Sequence, residues 1–168
     1  MVMNTLPRNK AKAITQTRVT TLVVDDSPLL LKALSQILEQ AGTFDLVGTA
    51  TDGCQALRYV SELSPELVLM DVHMPRLNGI QATRYIKGLK HPPVVIIITS
   101  DDSSAAREMA EEAGADAFVS KDGNLRQQVM CALQNLFGAG VLNHVPQPSK
   151  APADCDICHP LKIQLYTR

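Results

Sequence analysis

The stretch LVLMDVHMPRLNG, Leu67 to Gly79, drives an apolar run into a bare carboxylate, Asp71, and then into the turn signals Met-Pro and Asn-Gly. Val68, Leu69 and Met70 read as a short strand that is buried throughout. An aspartate closing such a strand is costly unless a turn, a helix cap or a charged site uses it. Other apolar runs end in the same manner. Thr21-Leu-Val-Val reaches Asp25-Asp26, Val94 to Ile98 reaches Thr99-Ser100, and Ala117 to Val119 reaches Ser120-Lys121. In an open α/β sheet, ligands bind in the crevice beyond the carboxyl ends of the strands. If the first, third, fourth and fifth runs are neighbours, three carboxylates, a hydroxyl and an ammonium converge on one pocket. Three carboxylates a few ångströms apart repel one another and resist shared ionisation. A hard divalent cation removes that repulsion, and Mg²⁺ takes a few carboxylates together with water and phosphate oxygens. Such a site suits phosphoryl transfer. The metal and the lysine offset charge on the phosphoryl oxygens, the hydroxyl binds another, and a carboxylate can act as the nucleophile.

The elements that must position these groups alternate along the chain. Pro28 opens a helical stretch with Leu30, Leu31, Leu34, Ile37 and Leu38 on one face, and Gly42 ends it. Leu46 to Thr49 is a second, shorter strand. Ala56, Leu57, Val60 and Leu63 then recur at helical spacing until Pro65. After the strand at Leu67 to Met70, a helix runs from about Gly79 to Lys87 and breaks at His91-Pro-Pro. Val94 to Ile98 is the most apolar run. Ser103 or Ser104 caps a helix reaching Ala113, with Gly114 behind it. Ala117 to Ser120 and a helix from Leu125 to about Leu136 complete the pattern. Five buried strands, each followed by a helix, predict a parallel sheet covered on both faces, and right-handed crossovers make it doubly wound. There is no internal repeat.

Composition narrows the function classes. With 45% hydrophobic and 20% charged residues, the 168-residue chain suits one globular domain with terminal tails. No apolar run nears the ~20 residues of a membrane helix. The first 18 residues carry Arg8, Lys10, Lys12 and Arg18 without an acid and without an apolar core, so they predict a basic extension, not a secretory signal, and a cytoplasmic protein. Residues 19–137 hold nine basic and fifteen acidic side chains, a net charge of −6. That balance argues against direct nucleic-acid contact and accommodates a bound cation. The absence of Trp and the scarcity of other aromatics leave no stacking platform for single strands.

Taken in order, VVDDSP, LVLMDVHMPRLNG, IIITS and GADAFVSKD resemble the receiver domain of two-component response regulators over residues 19–137. The resemblance implies a flavodoxin-like, five-stranded parallel sheet of order 2-1-3-4-5. It implies a signalling module, not an enzyme acting on other substrates. Asp71 would accept a phosphoryl group from a sensor histidine kinase or phosphotransfer protein. Asp26 would bind Mg²⁺ directly and Asp25 mostly through water, with Asp71 and the backbone carbonyl of His73 completing the protein ligands. Lys121 would pair with the phosphoryl group and a carboxylate. The Thr99 hydroxyl would swing to a phosphoryl oxygen, and Phe118 would follow it inward. Ser100 is small, as access for the donor requires, and Pro75 and Gly79 would shape the loop. The switched surface would be the face of the fourth helix, fifth strand and fifth helix, a route to a partner or a homodimer.

Some features fall outside this pattern or qualify it. Many receivers place a cis proline after the lysine, whereas Asp122 follows Lys121 here, and a non-proline cis bond costs ~3 kcal/mol, so this bond is expected trans. Asp52, Asp101, Asp102 and Asp122 read as turn or capping residues, and Cys54 and Cys131 as small buried fillers. Residues 138–168 hold four prolines and little periodicity, the pattern of a flexible tail or truncated linker too short for a helix-turn-helix output domain. Within them Cys155, Cys158 and His159 form a C-x-x-C-H motif, which suits a haem attachment, a metal site or coincidence. Two rival readings share parts of the architecture. A haloacid-dehalogenase-type phosphatase needs its two aspartates two apart at the first strand. A flavin mononucleotide module needs a glycine- and hydroxyl-rich loop where Asp25-Asp26 stands.

Overall fold

A computed structural model describes residues 18–138 and 163–165. Five strands, β1 (Val19–Val24), β2 (Phe44–Ala50), β3 (Leu67–Asp71), β4 (Val94–Thr99) and β5 (Ala117–Ser120), pair in parallel in the order β2-β1-β3-β4-β5. Five helices connect and follow them: α1 (Pro28–Ala41), α2 (Gly53–Leu63), α3 (Gly79–Lys87), α4 (Ser104–Glu112) and α5 (Leu125–Phe137). This is the fold that the alternating runs predict.

Side chains of successive strand residues leave the sheet on opposite sides, so each buried strand feeds two cores. Leu22, Val24, Val68, Met70, Val95 and Ile97 meet Ala56 and Val60 of α2, Ile80 and Ile86 of α3 and Ala106 of α4. Val23, Leu67, Leu69, Ile96, Ile98 and Val119 meet Leu34 and Leu38 of α1 and Val129 and Leu133 of α5. With no polar face to spare, the strands read as continuous apolar runs, which is why they were legible without period-two alternation.

Helix ends follow their local chemistry. Pro28 sits in the first turn of α1, and Gly42 closes it in the left-handed region at φ 69°. Asp52, Asn78, Ser103 and Asn124 cap α2, α3, α4 and α5, each side chain accepting a backbone N–H three residues on. Ser103, not Ser104, is therefore the cap of α4.

The structure departs from the sequence expectation at three places. β2 begins at Phe44 instead of Leu46, because Phe44 and Asp45 lie opposite Val19 and Thr20 of β1. Cys54 is exposed, not a buried filler, since the inward face of α2 is formed by Gly53, Ala56 and Val60; Cys131 is half-buried. Ile163–Leu165, within the stretch read as a tail, forms β6 and pairs antiparallel with β5, giving a six-stranded sheet. Three residues joined through backbone groups leave no periodic trace in a sequence. The basic extension and the Cys155-Cys158-His159 motif lie outside the described residues.

One glycine sets how closely the β3–α3 loop returns on itself. The Gly79 N–H donates to the Val72 carbonyl at 3.0 Å, and a Cβ at position 79 would lie 1.8 Å from the Asp71 carbonyl oxygen. Backbone cannot yield there as a flexible side chain could. Gly79→Ala is expected to lose about 3 kcal/mol of stability in urea denaturation, the upper range of overpacking changes.

Candidate functional site

The carboxyl ends of β1, β3, β4 and β5 bring the candidate residues to one crevice. Register explains why: Val24 pairs with Met70, Asp71 with Ile98, and Thr99 with Ser120, so the residues ending these strands lie level. Asp25 and Asp71 are buried and Asp26 is exposed. One carboxylate oxygen from each of the three lies within 4.8 Å of the others.

Lys121 reaches into this cluster. Its Nζ donates to Asp25 Oδ2 and to Asp71 Oδ1, both at 2.7 Å. Its own N–H donates to the Thr99 carbonyl at 2.7 Å, which locks the start of the β5–α5 loop against β4. Asp25 is held from its other side, because Oδ1 accepts the Ser27 N–H at 2.9 Å. The Lys121–Asp122 peptide is not cis, nor is any other among the described residues.

The electrostatics follow from burial. Asp71 is pushed above its ordinary value of 3.8, first by burial and further by Asp25, with the Lys121 bonds only partly opposing the rise. Burial pulls Lys121 down, but its bonds to Asp25 and Asp71 outweigh this and leave it above 10.5. Three carboxylates against one ammonium leave two negative charges uncompensated when all are ionised. A divalent cation matches that deficit, and hard oxygen donors are the ligands Mg²⁺ prefers. At Mg–O distances of ~2.1 Å, opposite ligands lie about 4.2 Å apart, so donor atoms spread over 4.8 Å need only a small inward movement. The residues fit the ion.

The remaining candidates surround this centre. Thr99 is buried; its Oγ1 accepts the Asp101 N–H at 3.2 Å and lies 3.4 Å from His73 Nδ1. The exposed His73 side chain thus faces the threonine hydroxyl. Ser100 is exposed beside it. Phe118 is wholly buried in β5, with the Arg107 guanidinium 4.5 Å from its ring centre. Pro75 lies exposed in the loop, and Gly79 starts α3.

Two contacts near the site have no counterpart in the sequence reading. Asp52, assigned only a capping role, also pairs with Arg76. Gln128 of α5 is buried, and its Nε2 donates to the Asp122 carbonyl while Oε1 finds no partner among the described residues. A glutamine among the apolar positions of α5 is the signal that could have drawn attention to it.

Comparison with known proteins agrees with the geometry. A family model described as the response regulator receiver domain matches residues 21–132. A protein-glutamate methylesterase/protein-glutamine glutaminase of Methanococcoides burtonii is 33% identical over 130 residues, covering 73% of this chain and 37% of that protein. The chain spans little more than a third of the length of such curated relatives. The response regulator domain of Thermotoga maritima CheB superposes with a TM-score of 0.63 at 32% identity, covering 77% of this chain and 99% of that one. A chain of the CheX–CheY–BeF₃–Mg²⁺ complex from Borrelia burgdorferi gives 0.66 at 27% identity, covering 72% and 90%.

The pKa directions set a stability test. Asp71 is raised, so the stability linked to its protonation is full below 3.8 and is lost as pH rises through its folded value. Ionised Asp71 is then a cost at neutral pH when no cation is bound. Lys121 is also raised, so its contribution is full below 10.5 and disappears only as pH climbs through its folded value. In EDTA at pH 7, Asp71→Asn is expected to melt above the unaltered protein, with the gap closing as pH falls below 3.8. A lower melting temperature for Asp71→Asn at pH 7 would contradict the assigned electrostatics.

Proposed function

The chain belongs to the response regulator receiver domain family, and on that premise we propose that it accepts a phosphoryl group on Asp71 from the phosphohistidine of a sensor histidine kinase or phosphotransfer protein. The observation that carries this reading is Lys121 Nζ bridging Asp25 and Asp71 at 2.7 Å within a three-carboxylate cluster. In that reaction an Asp71 carboxylate oxygen attacks phosphorus, the phosphorus–nitrogen bond breaks, and the donor histidine leaves with the bonding pair. The product is an acyl phosphate.

Each neighbour has a separate task. Asp25, Asp26, Asp71 and the backbone carbonyl of His73 would hold Mg²⁺, which supplies positive charge to the phosphoryl oxygens when bound. Lys121 turns from Asp71 to a phosphoryl oxygen while keeping Asp25. The Thr99 hydroxyl binds another, leaving the Asp101 N–H and His73. Exposed Ser100 leaves the donor room to approach. Because Thr99 and Phe118 lie on the adjacent strands β4 and β5, movement of the hydroxyl is passed to Phe118 and to the face formed by α4, β5 and α5. That face docks a partner or a second copy, as a two-state surface biased by a new charge.

On this reading the unit is a signalling module that catalyses only its own phosphorylation and dephosphorylation. Residues 19–137 are the receiver, and 1–18 and 138–168 flank it. It acts in the cytoplasm and, being acidic, without direct nucleic-acid contact. Among the described residues no helix is long and apolar enough to cross a membrane.

Incubation with acetyl phosphate and Mg²⁺, read on a phosphate-affinity gel, tests the assignment. The unaltered chain is expected to shift and Asp71→Asn to remain unshifted, with EDTA abolishing the shift. Equal labelling of Asp71→Ala and unaltered protein would sink it. Lys121→Met is expected to slow labelling by about 100-fold, as loss of one preorganised donor to the reacting group does.

A further inference from the structure

Residues 72–78, which follow the acceptor, are fixed at their inner end. The Gly79 N–H reaches Val72, and Val72, Met74 and Leu77 lie against the core. Their outer end is tied to α2. The Gly53 N–H donates to the Leu77 carbonyl at 3.0 Å, an approach that a Cβ on residue 53, 2.5 Å from the same oxygen, would prevent. The neighbouring Arg76 has φ 66°, the left-handed region that costs a non-glycine residue about 1–2 kcal/mol. At a loop position beside a reactive group, such a conformation survives only where its surroundings enforce it.

The enforcing contact is the ion pair between the Arg76 guanidinium and Asp52. The two partners differ sharply: the Arg76 side chain is 67% exposed, and that of Asp52 is 0% exposed. Asp52 Oδ1 accepts the Gln55 N–H at 3.0 Å, and Oδ2 is the oxygen facing Arg76. Burial pushes Asp52 up, but the Gln55 amide and the Arg76 guanidinium more than reverse this and leave it below its ordinary value. An exposed arginine buries little apolar area, so packing does not account for the pair. What it does is tie the strained point of the acceptor loop to a carboxylate fixed at the start of α2.

We propose that Arg76 and Asp52 are positioning residues for the chemistry at Asp71: their ion pair, with the Gly53–Leu77 bond, holds the loop that carries His73, whose backbone carbonyl the reading above assigns to the metal. This rests on the phosphoacceptor reading above and adds residues which that reading does not use. Neither Arg76 nor Asp52 belongs to the carboxylate cluster of Asp25, Asp26 and Asp71. They act through the loop, as outer partners that orient a ligand do.

Two substitutions separate the pair from the backbone around it. Arg76→Gly keeps the left-handed conformation and removes the guanidinium. Asp52→Asn keeps an oxygen for the Gln55 N–H and removes the charge. For the full chain, the Mg²⁺ concentration giving half-maximal labelling, the Mg²⁺ affinity by calorimetry without a phosphodonor, and the thermal midpoint are measured together. Each single variant is expected to weaken Mg²⁺ binding about tenfold with its thermal midpoint near that of the unaltered chain. The double variant should be no weaker than either single one, because both break the same link. Arg76→Lys, which keeps the charge without the fork, should recover part of the loss. Unchanged Mg²⁺ affinity in Arg76→Gly overturns the proposal, as do losses that multiply in the double variant. A failure of the unaltered chain to label defeats the phosphoacceptor reading instead, and the calorimetric comparison still decides the role of Arg76.

Discussion

Two buried carboxylates from different strands cannot lie side by side without a cation between them, and Lys121 meets that constraint by bonding Asp25 and Asp71 at once. Such a contact requires β1, β3 and β5 to end level with one another, which the parallel register enforces. It also requires the lysine to arrive from a loop whose direction is set. Its backbone N–H on the Thr99 carbonyl and the Gln128 amide on the Asp122 carbonyl provide that direction. One ammonium still leaves the cluster short of positive charge. The folded chain therefore holds an excess of negative charge at Asp25, Asp26 and Asp71, the charge balance that a divalent ion would fit.

The loop after Asp71 shows how backbone geometry serves this cluster. Gly79 lets the chain return so tightly that its N–H reaches Val72, and Gly53 lets α2 approach close enough to bind Leu77. Neither glycine touches the carboxylates. Both permit distances that a methyl group would prevent, so the segment that follows Asp71 is held from two sides. Capping adds to the stiffness, because Asn78 begins the helix that ends the loop and Asp52, at the start of α2, pairs with Arg76 within it.

Much of this was legible in the amino-acid order because the physics is local. An apolar run that stops on Asp25, Asp71 or Lys121 announces a buried strand with a polar end. Pro28, Gly42 and Ser103 mark helix limits through backbone preferences that need no partner. What escaped was tertiary. Arg76 and Asp52 are 24 positions apart, and the sequence marks Asp52 only as a turn or cap and Arg76 not at all, yet folding makes them one contact. Gln128 has meaning only against a loop carbonyl. Cys54 was misjudged because one helical turn decides which way a residue faces, and single-residue composition does not record that.

β6 alters the boundary of the sheet. Strand edges are open ladders of donors and acceptors, and proteins guard them because any extended chain can extend the ladder. Here the outer side of β5 is paired through its backbone with three residues running in the opposite direction, Phe118 in register with Gln164. The opposite margin, β2, has β1 as its sole strand neighbour among the described residues. The sheet is thus polar in its capacity for growth. Among the described residues the outer ladder of β2 has no strand beside it, whereas that of β5 is already taken up by the chain's own segment.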